Sequence, residues 1–369
     1  MATIGSTAPS QHTINYDSLL STTLMAYRGA LVDNIFKSSA YLAALRKYEG
    51  ISYQDGGERI QIPLMYETNS TVKSYSGYEQ LSVIPQDGIT SAFFPWCEIA
   101  GTITISRKEE RQNSGEAQLL NLLKSKIMQA EMSMKAAVNS QLLLGTVNTA
   151  TFVPGNSAKD LFPLGYFLSK DNTADPLAGG NVGNISRASY DWWRSRTAEF
   201  DTADASKDTG NDFGLAVTTY AGLKIALKRM YNYCSRGADG SGPNLVVMNQ
   251  DTYEEYESAL DANLRYTDTA LADMGFDNIK LKGAVCIWDE LVPDIDNGTA
   301  ALTDGSAFFL NTKFYKLTID SQTDFVTTPF IEPENQTAKT AKVLFMGNAT
   351  LSNPRKLGVC YAIAKDIAT

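Results

Sequence analysis

Two segments in the first third of the chain alternate apolar and polar residues in the manner of β-strands. They are residues 58–66 and 93–106, and both are rich in β-branched and aromatic residues. The 26 residues between them, 67–92, are mostly polar and carry neither a helical stripe nor a tight two-residue turn. The pattern predicts a long projecting β-ribbon. Because an isolated hairpin is only marginally stable in water, we expect another molecule, most simply a second copy of this chain, to cover one face.

Helical spacing of apolar residues predicts the elements on either side of this ribbon. One helical stretch covers residues 16–48, and a longer one covers residues 116–144. Asn113 and Glu116 resemble a capping box at the start of the longer stretch, and Gly145 ends it. The expected helix is about 29 residues, or roughly 44 Å, in length. Its single apolar face is typical of a spine helix that lines a core, more than of a cofactor site or a coiled coil.

The second half of the chain alternates predicted helices and strands. Residues 146–213 are rich in Gly, Asn, Asp, Ser and Thr, which indicates loops at a domain boundary. Helices are predicted at 220–233 and 251–264, and strands at 244–248, 279–288, 308–319, 342–346 and 356–364. We expect the last two strands to rejoin the first domain. The sequence therefore predicts an α+β fold in which a second domain is inserted into the first.

Composition limits the class of protein. The chain has 369 residues, of which 43% are hydrophobic and 20% charged, as in an ordinary globular protein of two or three domains. No apolar run reaches the roughly 20 residues of a membrane span, so we expect no membrane association. The start of the chain lacks the basic patch and apolar run of a secretory signal. The formal net charge of −9 argues against a protein that reads nucleic-acid sequence.

Motifs for catalysis are scarce. The single histidine, His12, leaves no ordered imidazole for a catalytic triad, and no phosphate loop, dinucleotide fingerprint or nucleophile elbow is present. The four cysteines are widely spaced and are expected to be buried free thiols. We therefore predict no catalytic residue, no cofactor and no metal. Two acidic groups leave a divalent cation open beside the commoner alternative of solvated loops: Asp289, Glu290, Asp294 and Asp296, and Asp201, Asp204, Asp208 and Asp212.

The run of mixed charge from Arg107 to Arg111 has two interpretations of equal weight. It is either a solvated strand end at the base of the ribbon, or a set of charges that meets acidic groups of a neighbouring molecule. The sequence alone does not choose between them.

The order of parts resembles that of a tailed-bacteriophage major capsid protein, whose fold is shared with encapsulin shells and the herpesvirus capsid floor. Local sequence carries the resemblance between about residues 161 and 312. No single matching segment is specific to this family, and the resemblance depends on the order and spacing of the segments. The matching segments are 182–187, 192–194, 243–247 with Tyr253 and Tyr256, 264–266, 282–289 and 309–312.

This resemblance implies a structural subunit of an icosahedral or prolate shell. Such subunits self-assemble into pentamers and hexamers that enclose double-stranded DNA, and they belong to the virion after assembly in the host cytoplasm. The implied parts are an N-terminal arm with helices (1–50), an extended β-hairpin loop (51–112), a spine helix with the peripheral domain (113–212), an inserted axial α/β domain (213–335) and returning strands of the peripheral domain (336–369).

The resemblance also implies partners. The subunit would contact its own copies, a portal and packaged DNA without sequence-specific contact, with decoration proteins as a further option. The chain has no room for a long N-terminal scaffolding segment, so a separate scaffolding protein, or a precursor already cut, is expected. The candidate subunit-interface residues are Tyr66, Lys73, Tyr75, Tyr78, Arg107, Lys108, Arg111, Trp192 and Trp193.

Two alternatives to a virion coat remain at this point. An encapsulin-like compartment shell would share the same fold. A hydrolase that depends on carboxylates, using Asp289 or Asp294, belongs to a different class of protein.

Overall fold

A computed structural model describes most of the chain. The described residues are 40–112, 122–148, 151–170, 173, 180–200, 217, 219–237, 240–260, 279–295, 304–329, 331–334, 337–365 and 367. The helices predicted before residue 40, the capping box at Asn113 and Glu116, and the acidic group between Asp201 and Asp212 lie outside the described residues.

Seven α-helices and seventeen β-strands lie within this part of the chain. The helices are α1 (Ala40–Lys47), α2 (Arg107–Gln112), α3 (Leu122–Leu143), α4 (Gly155–Ala158), α5 (Leu164–Phe167), α6 (Tyr220–Cys234) and α7 (Gln250–Ala259). The strands are β1 (Ile51–Gln54), β2 (Ile60–Met65), β3 (Ile89–Phe94), β4 (Cys97–Ser106), β5 (Thr146–Asn148), β6 (Thr151–Val153), β7 (Asn181–Val182), β8 (Ile185–Ser186), β9 (Arg196–Glu199), β10 (Leu245–Met248), β11 (Ile279–Leu281), β12 (Ala284–Trp288), β13 (Gly305–Leu310), β14 (Tyr315–Asp320), β15 (Val326–Thr327), β16 (Ala338–Leu351) and β17 (Gly358–Ile363).

Two sheets organise the molecule. The six-stranded sheet has the order β11-β12-β10-β13-β17-β9 and combines parallel and antiparallel pairs. The five-stranded sheet has the order β1-β14-β16-β15, and β4 also pairs with the long strand β16. The result is an α+β fold, as predicted from the sequence.

Alternation along the central strands explains how the six-stranded sheet is covered. Val246 and Met248 of β10 pack in the same apolar cluster as Leu223 and Met230 of helix α6. Their neighbours in sequence, at 245 and 247, point to the opposite face and join the main core of the molecule. Strands β10, β13 and β17 are buried at every position, as expected of strands with both faces covered.

The predicted ribbon is shorter than the sequence suggested. Residues 93–106 do not form one strand, because the strand is interrupted at Pro95, which has no N–H to donate, and at Trp96. Strand β3 pairs with β2, whereas β4 turns into the five-stranded sheet and pairs with β16 from Cys97 to Ser106. The carbonyl of Pro95 accepts from the buried side chain of Asn348 at 2.9 Å, which fixes this break.

Two other predicted strands are also divided. Residues 279–288 form a hairpin, β11 and β12, whose turn includes Lys282 at a φ of 53°. Residues 308–319 contribute β13 to one sheet and β14 to the other, with a turn at Asn311, whose carbonyl accepts from the backbone of Phe314 and Tyr315 at 3.0 Å. The chain therefore crosses between the sheets at a point where the sequence showed one apolar run.

The last strand takes a different place from the expected one. Strand β16 pairs with β4 and β14, but β17 lies in the six-stranded sheet between β13 and β9. Because β17 is apolar at nearly every position, a central place with both faces covered suits it better than an edge. The two final strands thus belong to two different sheets.

Candidate subunit interface

Within the described part of the chain, the longest exposed segment belongs to a projecting hairpin, which we define as residues 60–94. It consists of β2, a tip at residues 67–88, and β3. The base of the hairpin is anchored, since Ile60, Leu64, Ala92 and Phe94 are buried in the main core. The outer end is not anchored in this way, and Met65 is 83% exposed. The outer end of the two strands, near Met65, therefore lies away from the core, and the tip continues from it.

The tip contains no strand, and polar contacts hold its two sides together. The N–H of Tyr66 donates to the carbonyl of Gly88 at 3.1 Å, and its hydroxyl donates to the carbonyl of Asp87 at 2.9 Å. Farther out, the Ser70 hydroxyl donates to Gln86 Oε1 at 2.9 Å. The Lys73 ammonium donates to the Gln80 carbonyl at 3.3 Å. These contacts keep the tip narrow and leave its side chains facing outward.

Apolar side chains are exposed along the whole tip. Nine of the fifteen large hydrophobic side chains that are exposed in the described part of the chain lie between residues 65 and 89. Tyr78 is fully exposed, and Val83 is 94% exposed. Exposed apolar side chains concentrated in one segment are typical of a surface that another molecule covers. The nine are Met65, Tyr66, Val72, Tyr75, Tyr78, Leu81, Val83, Ile84 and Ile89.

An aromatic stack fixes the base of the tip. The rings of Tyr66 and Trp192 are stacked with their centroids 5.1 Å apart and their planes at 20°. Trp192 in turn contacts Trp193 at 5.5 Å, and Trp193 is only 1% exposed. The Trp193 indole N–H donates to the carbonyl of Val182 at 2.9 Å. Trp193 is therefore a core anchor of its own subunit, and Trp192 is the half-buried partner that the hairpin contacts.

The short hairpin β7–β8 supports the same region. The N–H of Phe93 donates to the carbonyl of Gly183 at 3.0 Å. Gly183 has a φ of 59°, and a Cβ at this position would lie 3.0 Å from both the Ala92 Cβ and the Phe94 ring. Both the backbone conformation and the close approach favour a glycine here over a larger residue.

The charged run after β4 is helical, so its interpretation as a strand end is wrong. The Ser106 hydroxyl accepts from the N–H of Glu109 at 3.2 Å, and the Glu109 carboxylate accepts from the N–H of Ser106 at 3.2 Å. This is a reciprocal capping box, and its Ser-x-x-Glu signature was present in the sequence. Lys126 of α3 pairs with Glu109 at 3.0 Å. Burial alone would raise the pKa of Glu109, but the hydrogen bonds from Lys126 and Ser106 outweigh it and lower that pKa.

The predicted interface residues fall into three groups. Tyr66, Trp192 and Trp193 meet at the base of the tip. Lys73, Tyr75 and Tyr78 lie in the tip itself and are exposed. Arg107 and Lys108 are exposed on α2, at the other end of β4, and the side chain of Arg111 lies outside the described residues. The apolar residues of the tip, Val72, Leu81, Val83 and Ile84, were not singled out from the sequence, because isolated apolar residues in a polar segment carry no periodic signal.

The carboxylates proposed for hydrolysis are poorly placed for it. Asp289 is 1% exposed, and burial raises its pKa to about 6, against hydrogen bonds from the Leu291 N–H and the Asn139 amide. Asp294 accepts from Asn249 at 2.8 Å and pairs with Lys365 at 3.2 Å. Within the described ranges, no group of three His, Cys, Asp or Glu side chains is arranged to hold a metal ion.

Two further features concern the described residues as a whole. None of their helices is both long enough and apolar enough to cross a bilayer. All four cysteines are buried free thiols, as the sequence predicted, and burial raises the pKa of Cys97 and Cys234 to about 12.

Comparison with known proteins gives a structural match and no sequence match. No family model matches the sequence, and no curated protein matches it. In contrast, the fold matches the capsid of cyanophage A-1(L), with a TM-score of 0.65, 14% identity, and coverage of 90% of this chain and 95% of that chain. It also matches the capsid of a native GTA particle, with a TM-score of 0.52, 12% identity, and coverage of 87% and 90%.

An encapsulin from Synechococcus elongatus PCC 7942, the SrpI complex, is similar at a TM-score of 0.49 and 7% identity, with coverage of 93% and 95%. The matches to the two phage-type capsids extend over nearly the whole of each chain. The protein therefore has the phage capsid fold, and the resemblance inferred from its sequence is confirmed at the level of the fold.

Proposed function

We propose that this protein is a structural subunit of an icosahedral or prolate phage capsid, and that it assembles into pentamers and hexamers around double-stranded DNA. The observation that carries the proposal is the projecting hairpin, whose tip exposes apolar side chains that the subunit itself does not cover. The phage capsid fold supports it. The role is structural, in keeping with the buried position of Asp289.

The interface residues have separate roles in this proposal. The tip, with Lys73, Tyr75 and Tyr78, lies across a neighbouring subunit and buries its apolar residues there. Tyr66 and Trp192 hold the hairpin at a fixed angle to the body. Arg107, Lys108 and Arg111 face charges of a neighbour. Each contact is weak, and a closed shell becomes stable because the contact is repeated many times.

The domain arrangement is part of the same proposal. The six-stranded sheet with α6 and α7 forms the core of the axial domain, and the five-stranded sheet with α3 forms that of the peripheral domain. Because β14 lies in the second of these sheets and β17 in the first, the chain crosses between the domains more often than the single insertion at 213–335 requires.

The remaining partners follow from the capsid role. A separate scaffolding protein guides closure, a portal occupies one vertex, and decoration proteins are a further option. The subunit belongs to the virion, after assembly in the host cytoplasm. Contacts with packaged DNA are independent of sequence, in keeping with the net charge of −9.

Removal of the tip tests the proposal directly. We expect a variant in which Gly-Gly replaces residues 68–86 to remain folded and soluble, since the deleted segment contributes no buried apolar side chain. It should fail to form closed shells in electron micrographs, under conditions in which the full chain forms them. Normal shells from the shortened chain would contradict the proposed role of the hairpin.

The contents of the particles separate a virion coat from a compartment. Particles purified from infected cells should contain DNA that resists nuclease. An encapsulin-like compartment would instead contain protein cargo and no protected DNA.

A further inference from the structure

Four basic side chains lie together at one end of the six-stranded sheet. Arg196 begins β9, Arg236 follows the end of α6, and Arg355 and Lys356 immediately precede β17. The guanidinium of Arg196 lies over the ring of Tyr233 at 4.2 Å from its centroid, and that of Arg236 lies 4.9 Å from the same centroid. The Arg196 guanidinium also donates to the Tyr233 hydroxyl at 3.0 Å.

No acidic side chain neutralises this basic cluster in the described part of the chain. None of its four members lies within 4.0 Å of a described carboxylate. Residues 213–238, which include α6, contain no Asp or Glu. The carboxylate of Glu199 on β9 accepts instead from the Tyr361 hydroxyl at 3.2 Å. In a chain with a net charge of −9, this concentration of positive charge is a local exception.

Two of the basic groups are withdrawn from water. Lys356 is only 3% exposed, and its ammonium donates to the carbonyl oxygen of Ser241 at 3.3 Å, which uses one of its three donors. The Nε of Arg196 and the hydroxyl of Ser241 are buried without a hydrogen-bond partner among the described residues. Buried lysine and arginine side chains are almost always paired, because an unpaired buried charge is costly.

Mutual repulsion adds to this cost. Burial lowers the pKa of Arg196, and the nearby charges of Arg355 and Arg236 lower it further, against the opposite effect of Tyr233. The C-terminal end of helix α6, which carries partial negative charge, offsets only a fraction of it. Among the residues that the structure describes, the arrangement therefore lacks a counter-ion.

We infer that the cluster of Arg196, Arg236, Arg355 and Lys356 is a binding site for a phosphate group. Arg236 and Arg355 are exposed and Lys356 is buried, so an anion from solvent can reach the arginines first. A phosphate offers at least two free oxygens to the arginine forks and the lysine, and as a monoester or free ion it carries nearly two charges. A single carboxylate would neutralise only one of the four positive charges.

Calorimetric titration of the unassembled full-length subunit with sodium phosphate, at constant ionic strength, tests this inference. We expect Lys356→Met to raise the phosphate dissociation constant by about tenfold or more, since a charge-assisted contact is lost. Lys342→Met is the matched control, because it removes an exposed lysine from β16 in the other sheet and should leave phosphate binding unchanged. The result does not depend on whether shells form.

A second variant guards against a folding defect at the buried lysine. Arg236→Gln combined with Arg355→Gln changes only exposed side chains and should weaken phosphate binding to a similar degree. Equal affinity in the wild type and in both site variants would overturn the inference. The inference would also be overturned if acetate bound as tightly as phosphate. That result would indicate a site for a carboxylate of another protein segment.

A labelled DNA duplex distinguishes the two sources of the phosphate group. If the site variants weaken binding of the duplex relative to Lys342→Met, the ligand is the nucleic-acid backbone; if they affect only inorganic phosphate, it is a free phosphate or a monoester. Asp239 lies outside the described residues and is the nearest acid in sequence. If the Asp239→Asn variant binds phosphate and the wild type does not, the chain supplies its own counter-ion. That result would overturn the inference.

Discussion

Asp289 shows how much a single side chain depends on distant parts of the sequence. It is buried where β12 ends, and the amide of Asn139 on α3 donates to its carboxylate at 3.3 Å. The backbone N–H of Leu291 donates to it at 3.1 Å. Tyr41 of α1 lies beside it and donates its hydroxyl to that of Tyr315 at 3.1 Å. Helix α1, helix α3 and the loop after β12 therefore converge on one carboxyl group.

This carboxyl group makes stability depend on pH. Burial raises the pKa of Asp289 from 3.8 to about 6, and the nearby charge of Glu290 acts in the same direction. The folded state thus binds a proton more tightly than the unfolded state, so the contribution of Asp289 to stability is fully present below about pH 4 and is lost as the pH rises through 6. The difference of about 2 units corresponds to roughly 3 kcal/mol.

We expect Asp289→Asn to remove this pH dependence. The variant should be more stable than the wild type above pH 7 by about 3 kcal/mol, because it buries no charge. The Oδ1 of Asn139, which has no hydrogen-bond partner among the described residues, can accept from the new amide. Urea unfolding between pH 4 and 8 measures the effect. Asp87→Asn, at an exposed carboxylate, is the control and should leave the profile unchanged. A variant that keeps the wild-type profile would contradict the assignment.

Sequence reasoning selected Asp289 but for another role. Its neighbours in sequence are acidic, and this grouping suggested an exposed cation site or catalytic pair. The distant contacts that define its environment come from Tyr41 and Asn139, which are 248 and 150 residues away. No local pattern contains that information.

Among the elements, helices and strands with a regular apolar period were predicted well, whereas the pairing of strands was not. Helices α3, α6 and α7 follow from apolar spacing, and most strands from short apolar runs. The break at Pro95 was missed because apolar alternation continues across it, and only the long-range pairing of β4 with β16 distinguishes the two strands. For the same reason, the sequence of residues 308–319 predicts a single strand where the structure has β13 and β14.

The capping box at Ser106 allows a test at the level of one element. Ser106→Ala removes the side chain that accepts from the Glu109 N–H, and should lower the free energy of unfolding by about 1 kcal/mol. Ser106→Thr keeps the hydroxyl and should cost less. Urea denaturation of the two variants and the wild type measures the difference. Equal losses in both variants would show that the hydroxyl does not cap α2.

At the scale of the whole molecule, the two parts of the hairpin affect different properties: the base contributes to the stability of the folded subunit, and the tip to contacts in an assembly. Its base is integrated into the core, whereas its tip adds apolar surface that folding leaves in water. The sequence predicted that a projecting element exists and that copies of the chain cover it. Beyond Tyr66, Tyr75 and Tyr78, it did not predict the apolar residues of the tip, since exposure is a property of the folded chain.

Tyr78→Ser tests this separation. Because Tyr78 is fully exposed, the free energy of unfolding of the isolated subunit should change by less than about 0.5 kcal/mol. The subunit concentration needed for shell formation should rise by about tenfold or more, since a buried aromatic residue is lost at every repeated contact. Light scattering measures assembly. Tyr53→Ser, at an exposed tyrosine of β1, is the control, and an equal effect there would argue against a specific role of the tip.

The burial of all four cysteines has a practical consequence. A thiolate reacts, whereas a buried thiol with a raised pKa does not, so Cys97, Cys234, Cys286 and Cys360 should be inert to alkylating reagents in the native protein. A cysteine introduced at Val83 or Tyr75 would then be the single reactive group of the subunit, without prior removal of the natural ones. Bifunctional reagents attached there would identify, residue by residue, what the tip touches in an intact particle.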